Sequence, residues 1–425
     1  MLNNRSKNIV GVIDIGSTKI CVMLGTRSSP TIANILFSTF VPSKGIQKGN
    51  VSDVSITSKN IISALNKVKE STGLNLKEFT IGITGTHIKS ETRHSQINSD
   101  SSKRSLITHD RLRPISEPIL PSNKNFSRRI IHSFQTGFSL DNGPIIRNPV
   151  GMHSDQITVD SQIIEGNSEK IENIKAAVQA VGINISNIVV NPLASGAAVL
   201  TNSEMNHNRL VIDIGGGTTD ILAINDGAIS FVGVLPVGGN QFTTDIANTF
   251  NSSFDEAEEI KIKHASTNIT INSQKNKIPI TDTNGNINKV PVYEICQLTR
   301  ERSRELAKLI AINLSDNSID QTAYSKILIT GGGSLLPGIS QVFEGVLLAK
   351  TINSTPTDIE TNEDAYTNLT AFHSSATGLI KWSLNQHLFG SILKLSATNP
   401  IQDSTRKKYV QTQITNLLSK IPVKI

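Results

Sequence analysis

Hydrophobic positions fall into short blocks from the start of the chain. Ile9 to Ile15, Ile20 to Leu24 and Thr31 to Val41 are apolar runs separated by Gly, Ser, Thr or Pro, the pattern of three strands in a meander. The period then changes. Ile61, Ile62, Leu65 and Val68 recur at helical spacing behind a cap at Thr57 or Ser58, and Gly73 ends the helix. Phe79 to Ile83 returns to strand, after which the pattern degrades into a polar stretch from Thr84 to Pro144. This stretch reads as an inserted subdomain that contains one apolar segment, Ile130 to Phe138. Ile157, Val159, Ser161 and Ile163 then alternate along a strand, and Ile171, Ile174, Ala177, Val178 and Val181 line one face of a helix, Ser168 to Val181. A strand, Asn187 to Val190, and a small-residue helix, Leu193 to Leu200, complete this half.

At Leu210 the opening theme returns. Gly11 to Lys19 and Leu210 to Asp220 share an apolar strand ending in Asp, then Ile-Gly, then a small hydroxylated turn and a second apolar strand. The chain therefore reads as duplicated. The second copy continues as strand (Ile221 to Asn225), turn (Asp226-Gly227) and strand (Ala228 to Val234), followed by helices that include Phe254 to His264. The Asn-rich stretch Ser266 to Lys289 reads as a loop, and a long helix spans Val292 to Ser315. A strand, Ile327 to Thr330, runs into Gly331-Gly332-Gly333, and a last helix covers Ser375 to Leu395.

The repeated turn suggests a chemistry. A strand ending in Asp that turns through Gly and Ser/Thr presents backbone N–H groups and hydroxyls at one point. Those donors suit phosphate oxygens, and the carboxylate can hold a hydrated Mg²⁺ beside them. One such turn alone reads as an ordinary hairpin. Two in register, at Asp14 to Lys19 and Asp213 to Asp220, point to a nucleotide clamp. Gly331 to Gly333 could lie against an adenosine or its α-phosphate. Glu258 and Lys261 share a helix face and could reach a ribose and a base edge, or simply pair with each other.

These elements, in this order, resemble the actin-like ATPase superfamily and, within it, the FtsA family of bacterial cell-division proteins. Supporting stretches are Asn148 to Met152, Asn191 to Leu200, Leu235 to Ala247 and Ala257 to Lys261. The resemblance implies an α/β actin-like fold with two duplicated lobes and an α+β subdomain inserted in the first. It divides the chain into 1–83 (first lobe), 84–165 (insert) and 166–205 (remainder of the first lobe with the connecting helix). The second lobe is 206–395, with a smaller subdomain at about 240–318; 396–404 is a linker and 405–425 a membrane-targeting helix.

The resemblance also implies ATP and Mg²⁺ in the cleft. The phosphate-one loop supplies Asp14, Gly16, Ser17, Thr18 and Lys19, and the phosphate-two loop Asp213, Gly215, Gly216, Gly217, Thr218 and Thr219. Gly239, Glu258, Lys261, Gly331, Gly332 and Gly333 surround the nucleoside, and Asp14 and Asp213 hold Mg²⁺ through water. Asn191 stands at the water-positioning place where related ATPases carry Glu, and an amide cannot accept the proton of the attacking water, which implies weak or absent hydrolysis. The family self-associates into filaments at the cytoplasmic face of the cell membrane, binds the FtsZ C-terminal tail through the smaller subdomain, and recruits other division proteins at the division site.

Composition and charge refine the partners. The 425 residues suit two to four compact units, and two cysteines are too few for a disulfide framework. The polar first residues do not read as a secretory signal, and no apolar window is long enough to span a membrane. The net charge of +6 is unevenly spread: residues 103–129 and 404–425 each carry +5, leaving an acidic body. In the tail, Val410, Ile414, Leu417, Leu418 and Ile421 form one helical stripe beside Arg406, Lys407 and Lys408, the pattern of an interfacial helix on an anionic membrane surface. That asymmetry favours a membrane over nucleic acid. Alternative readings are an actin-like pilus-assembly protein, a sugar or acetate kinase, for which no second catalytic carboxylate stands out, and a chaperone ATPase, which would need a substrate domain.

Overall fold

The computed structural model describes residues 9–98, 105–108, 112, 127–361, 369–384 and 389. Strands β1 (Val10–Ile15), β2 (Lys19–Arg27) and β3 (Ala33–Pro42) form the expected antiparallel meander. Helix α1 (Val54–Thr72) leads to β4 (Glu78–Ile83), which lies parallel to β1. The first lobe's sheet is completed by β8 (Asn184–Val190) and β16 (Ile359–Thr361), in the order β8-β4-β1-β2-β3-β16.

The second lobe repeats this plan. Its strands are β9 (Arg209–Ile214), β10 (Thr219–Asn225), β11 (Ala228–Leu235), β14 (Lys326–Thr330) and β15 (Lys350–Asn353), ordered β11-β10-β9-β14-β15. In each sheet a hairpin carries an Asp on its first strand and a parallel strand beside it, β4 next to β1 and β14 next to β9.

The insert is a separate antiparallel sheet. Its long strands β5 (Lys89–Asn98), β6 (Arg128–Leu140) and β7 (Gln156–Asn167) are ordered β6-β7-β5. The sequence pattern missed β5 because it is an edge strand of Lys, Glu, Arg, His and Gln side chains, while its neighbour β7 supplies the apolar ones. Ile157, Val159, Ile163 and Ile164 of β7 are all buried.

Three local expectations are corrected. Helix α1 starts earlier than expected: its cap is Asp53, whose carboxylate accepts from the Ile56 N–H at 2.8 Å. Thr57 and Ser58 lie inside the helix and donate to the carbonyls of Asp53 and Val54. Its core face is Ile61, Ala64 and Val68, and Ile62 is turned outward. The Asn-rich stretch from Ser266 is ordered, with a short helix, Ile271–Lys275, and a hairpin of β12 (Lys277–Thr281) and β13 (Ile287–Pro291). Turn chemistry makes that hairpin: the Asp282 carboxylate accepts from the Asn284 and Asn286 N–H groups, and Gly285 takes φ 85°.

Helices α2 (Ser168–Gln179) and α3 (Asn191–Val199) belong to the first lobe. Helices α4 (Gly239–Phe250), α5 (Phe254–His264), α6 (Val292–Asp316) and α7 (Ile339–Leu347) pack in the second. Helix α8 (Ser374–Ser383) returns to the first lobe and crosses α3. The helix expected to run to Leu395 ends at Ser383, with Leu384 as its cap, and the linker and amphipathic tail expected from the sequence lie outside the described residues. Among the described residues no helix is long and apolar enough to cross a membrane.

The α3–α8 crossing depends on small residues. A Cβ on Gly378 would lie 1.7 Å from the Ala194 carbonyl oxygen, and one on Gly196 would lie 2.2 Å from the Leu222 side chain. The first obstacle is backbone, which cannot move aside. Gly378→Ala is therefore expected to exceed the roughly 1–3 kcal/mol typical of an overpacked methyl group. Thermal denaturation checks this: a melting temperature equal to that of the wild type would show that the helices can separate without cost.

Candidate functional site

The two repeated hairpins face each other across the cleft between the lobes. Both turns have the same geometry. The Gly16 N–H donates to the Lys19 carbonyl at 3.0 Å, and the Gly215 N–H donates to the Thr218 carbonyl at 2.9 Å. The start of α4 closes over the second turn, with the Gly239 and Asn240 N–H groups donating to the carbonyls of Gly215 and Gly216, each at 2.8 Å.

Three carboxylates are buried here. Asp14 on β1 accepts from the Asn191 side-chain amide at 3.0 Å, and Asp213 on β9 accepts from the Ser375 hydroxyl at 2.9 Å. Asp220 on β10 accepts from the Thr84 hydroxyl. The hairpin register explains the third acid: Asp213 lies directly opposite Asp220, at the position where Asp14 faces Cys21 in the first copy. Directly opposed like charges repel.

Burial is the main cause of the titration behaviour. It raises all three acids, Asp213 to about 6 and Asp220 well above its usual range; neighbouring carboxylates add to the rise for Asp213 and Asp220, whereas Lys19 opposes it for Asp14 and Asp213. Lys19 is the cation among the described residues lining the cleft. Burial lowers its pKa, against the pull of Asp14 and Asp213. Its ammonium donates to the Phe372 carbonyl and lies 3.0 Å from the centroid of that ring.

This arrangement fits a phosphate ligand carrying a divalent cation. The glycines leave the turns bare, the acids outnumber the lysine, and no three His, Cys, Asp or Glu side chains among the described residues form a direct ligand set. A cation held mainly by phosphate and water, beside one or two carboxylates, matches magnesium chemistry. The side-chain amide oxygen (Oδ1) of Asn191, at the start of α3, is buried without a hydrogen-bond partner. Gly82 makes room for it, since a Cβ there would lie 2.4 Å away.

Of the residues expected from sequence, Asp14, Gly16, Ser17, Lys19, Asn191, Asp213, Gly215, Gly216, Gly217, Thr218, Gly331 and Gly332 line the cleft. The others stand outside the lining. Thr18 packs on Gly216, Gly333 packs on Ile214, and the Thr219 hydroxyl donates to the Val237 carbonyl at 2.8 Å. Glu258 and Lys261 pair at 2.6 Å, and Lys261 also donates to the Gly239 carbonyl at 3.2 Å. Thr84, Asp220, Ala371, Phe372 and Ser375 line the cleft without having been anticipated. Asp220 alone had a signal, as the acid at the end of the second repeat; the others come from segments that reach the cleft only through the fold.

Raised carboxylate pKa values have a definite sign. The folded protein retains a proton on Asp213 between its ordinary value of 3.8 and about 6, where the unfolded chain releases it. Stability therefore falls as pH rises through that window, and the deficit persists above it. Asp213→Asn is expected to melt several degrees above the wild type near pH 8 and to converge with it near pH 4. Melting curves across this range check it, and a constant difference at all pH values would contradict it.

Comparisons with known proteins bear on the family and the fold. A family model described as "Cell division protein FtsA" matches residues 210–372, and one described as "SHS2 domain inserted in FTSA" matches residues 85–165. A model described as "Type IV pilus assembly protein PilM" matches residues 148–271. The cell division protein FtsA of Pseudomonas aeruginosa is 24% identical, over 94% of this chain and 95% of its own length. Among solved structures, the PilM-PilN type IV pilus biogenesis complex superposes with a TM-score of 0.59 at 15% identity, over 88% of this chain and 98% of that chain. MreB5 of Spiroplasma citri bound to ADP superposes at 0.53 and 13% identity, over 89% and 98%. Those two likenesses establish the actin-like fold, as expected from the duplicated lobes. Both FtsA models match in their own regions and an FtsA relative aligns along nearly the whole length, so the chain is similar throughout to the FtsA family of cell-division proteins.

Proposed function

We propose that this protein binds ATP with Mg²⁺ between its lobes and assembles into filaments on the cytoplasmic face of the cell membrane at the division site. There it tethers FtsZ filaments and helps recruit other division proteins. The observation that carries the nucleotide part is the pair of matching glycine turns facing one another, with Asp14, Asp213 and Lys19 between them. When bound, Mg²⁺ would neutralise phosphate charge next to Asp14 and Asp213. The N–H groups of the two turns and the Lys19 ammonium would hold the phosphates. The Asn191 side-chain NH₂ donates to Asp14, and its side-chain oxygen Oδ1 is left without a partner, so it can orient a water molecule but not remove its proton. Turnover is accordingly slow or absent.

The FtsZ C-terminal tail is assigned to residues 240–318. That part of the second lobe carries the exposed apolar side chains Phe254, Ile262, Ile271 and Ile287, which a tail peptide could cover. Membrane attachment is assigned to 405–425, on the strength of the apolar stripe from Val410 to Ile421 and the basic Arg406, Lys407 and Lys408. A pilus-assembly role is the second reading, favoured by the match of the PilM model to residues 148–271.

Titration with a fluorescent ATP analogue tests the nucleotide part. Binding should require Mg²⁺, and Lys19→Ala should weaken it by roughly tenfold to a hundredfold, the range for one hydrogen bond to a charged group; undiminished affinity would overturn this assignment. Deleting residues 405–425 should release the protein from anionic liposomes in low salt. An FtsZ tail peptide should bind the full chain, and failure to bind would shift the assignment to the pilus reading.

A further inference from the structure

The insert contacts more than the lobe that carries it. On its sheet, Ser90 of β5, Ile164 of β7 and His132 of β6 lie directly opposite one another, so they share one face. At one end of this row the His132 ring lies 5.2 Å from the Trp382 ring of α8, and its Nε2 accepts from the Val190 N–H at 3.3 Å. Both of those partners belong to the first lobe. At the other end the Ser90 hydroxyl donates to the Val232 carbonyl at 2.8 Å and accepts from the Val232 N–H at 2.9 Å. Val232 lies on β11, the edge strand of the second lobe's sheet. One hydroxyl thus satisfies the outward donor and acceptor of that edge as a neighbouring strand would. Ile164, between the two ends, is buried in the same apolar cluster as Val232 and Val234.

The base of the insert is tied to both phosphate turns. Thr84, where the chain leaves β4, donates to Asp220 beside the second turn. On the other side the Gly49 N–H donates to the Ser17 hydroxyl at 2.9 Å, and Gly49 lies so close to Thr84 that a Cβ there would meet its carbonyl at 2.7 Å. Arg128 joins the strands entering and leaving the insert, donating to the His87 carbonyl at 3.1 Å and the Glu165 carbonyl at 3.2 Å.

We infer that the inserted subdomain braces the two lobes across the cleft, and that Ser90 is a positioning residue for the nucleotide held there. This rests on the nucleotide reading of the cleft. Turning the second lobe away from the first must break the Ser90–Val232 pair while His132 stays with Trp382. A ligand that favours the closed cleft therefore strengthens the pair. By reciprocity, whatever draws β5 off β11 weakens retention of that ligand.

The test compares wild type, Ser90→Ala and Ser90→Thr in two measurements: release of a fluorescent ATP analogue in stopped flow, and deuterium uptake by the segment 228–235 with and without the analogue. Ser90→Ala is expected to release the analogue several-fold faster and to raise uptake in 228–235, while Ser90→Thr, which keeps the hydroxyl, restores both. Equal release rates in wild type and Ser90→Ala would overturn the inference. If the wild type fails to bind the analogue, the nucleotide reading falls instead. The brace is then judged on the protein alone, where unchanged uptake in Ser90→Ala would overturn it.

Discussion

Three carboxylates are buried in one cleft with a single lysine among its described lining residues to oppose them, and much of the architecture serves that imbalance. Burying a charge without a partner is costly, and the protein meets the cost locally. Asn191, Ser375 and Thr84 each donate to one acid, and burial raises the pKa of Asp213 and Asp220. Each donor comes from a different segment: the start of α3, the start of α8 and the end of β4. The charge pattern therefore works only if these three segments meet, and the lobes are built so that they do.

Two small-residue contacts bring them together. Gly378 lets α8 cross α3 at backbone distance, which sets Ser375 beside Asp213 and leaves Asn191 beside Asp14. Gly196 lets α3 approach Leu222 on β10, the strand that carries Asp220. The main apolar cluster runs through this junction and joins residues of both lobes, including Val12, Ala194, Leu222, Val232 and Leu379. The cleft is thus the polar end of a continuous core, and a change in the helix crossing would be felt at the carboxylates.

The insert extends the same logic outward. Its sheet has one polar edge strand, yet the face that carries Ser90 and His132 packs on both lobes. A subdomain so placed has a mechanical relation to the cleft in addition to any partner it binds. Its basic character, read from residues 103–129, lies mostly outside the described residues.

Much of the fold was legible because it follows from short-range rules. The meander, the duplicated Asp-Ile-Gly turns, the amphipathic helices and the glycine cluster after β14 all announce themselves through period and turn chemistry, which act over a few residues. The resemblance to the FtsA family rests on those features. What stayed hidden was of two kinds. Strand β5 lacks an apolar alternation, because an edge strand needs little buried surface of its own, and in the β12–β13 hairpin only Ile278 and Ile280 alternate, too short a pattern to stand out in an Asn-rich stretch. The cleft residues Thr84, Phe372 and Ser375 carry no local signal at all, since their role is to meet groups far away in the chain. The sequence by itself determined where the Asp-Ile-Gly turns would form and that there would be two of them. Only the tertiary structure decided which donors face the buried acids, that Asp220 stands opposite Asp213, and that a serine of the insert closes the edge of the second lobe. Those are relations between distant segments, and packing alone makes them.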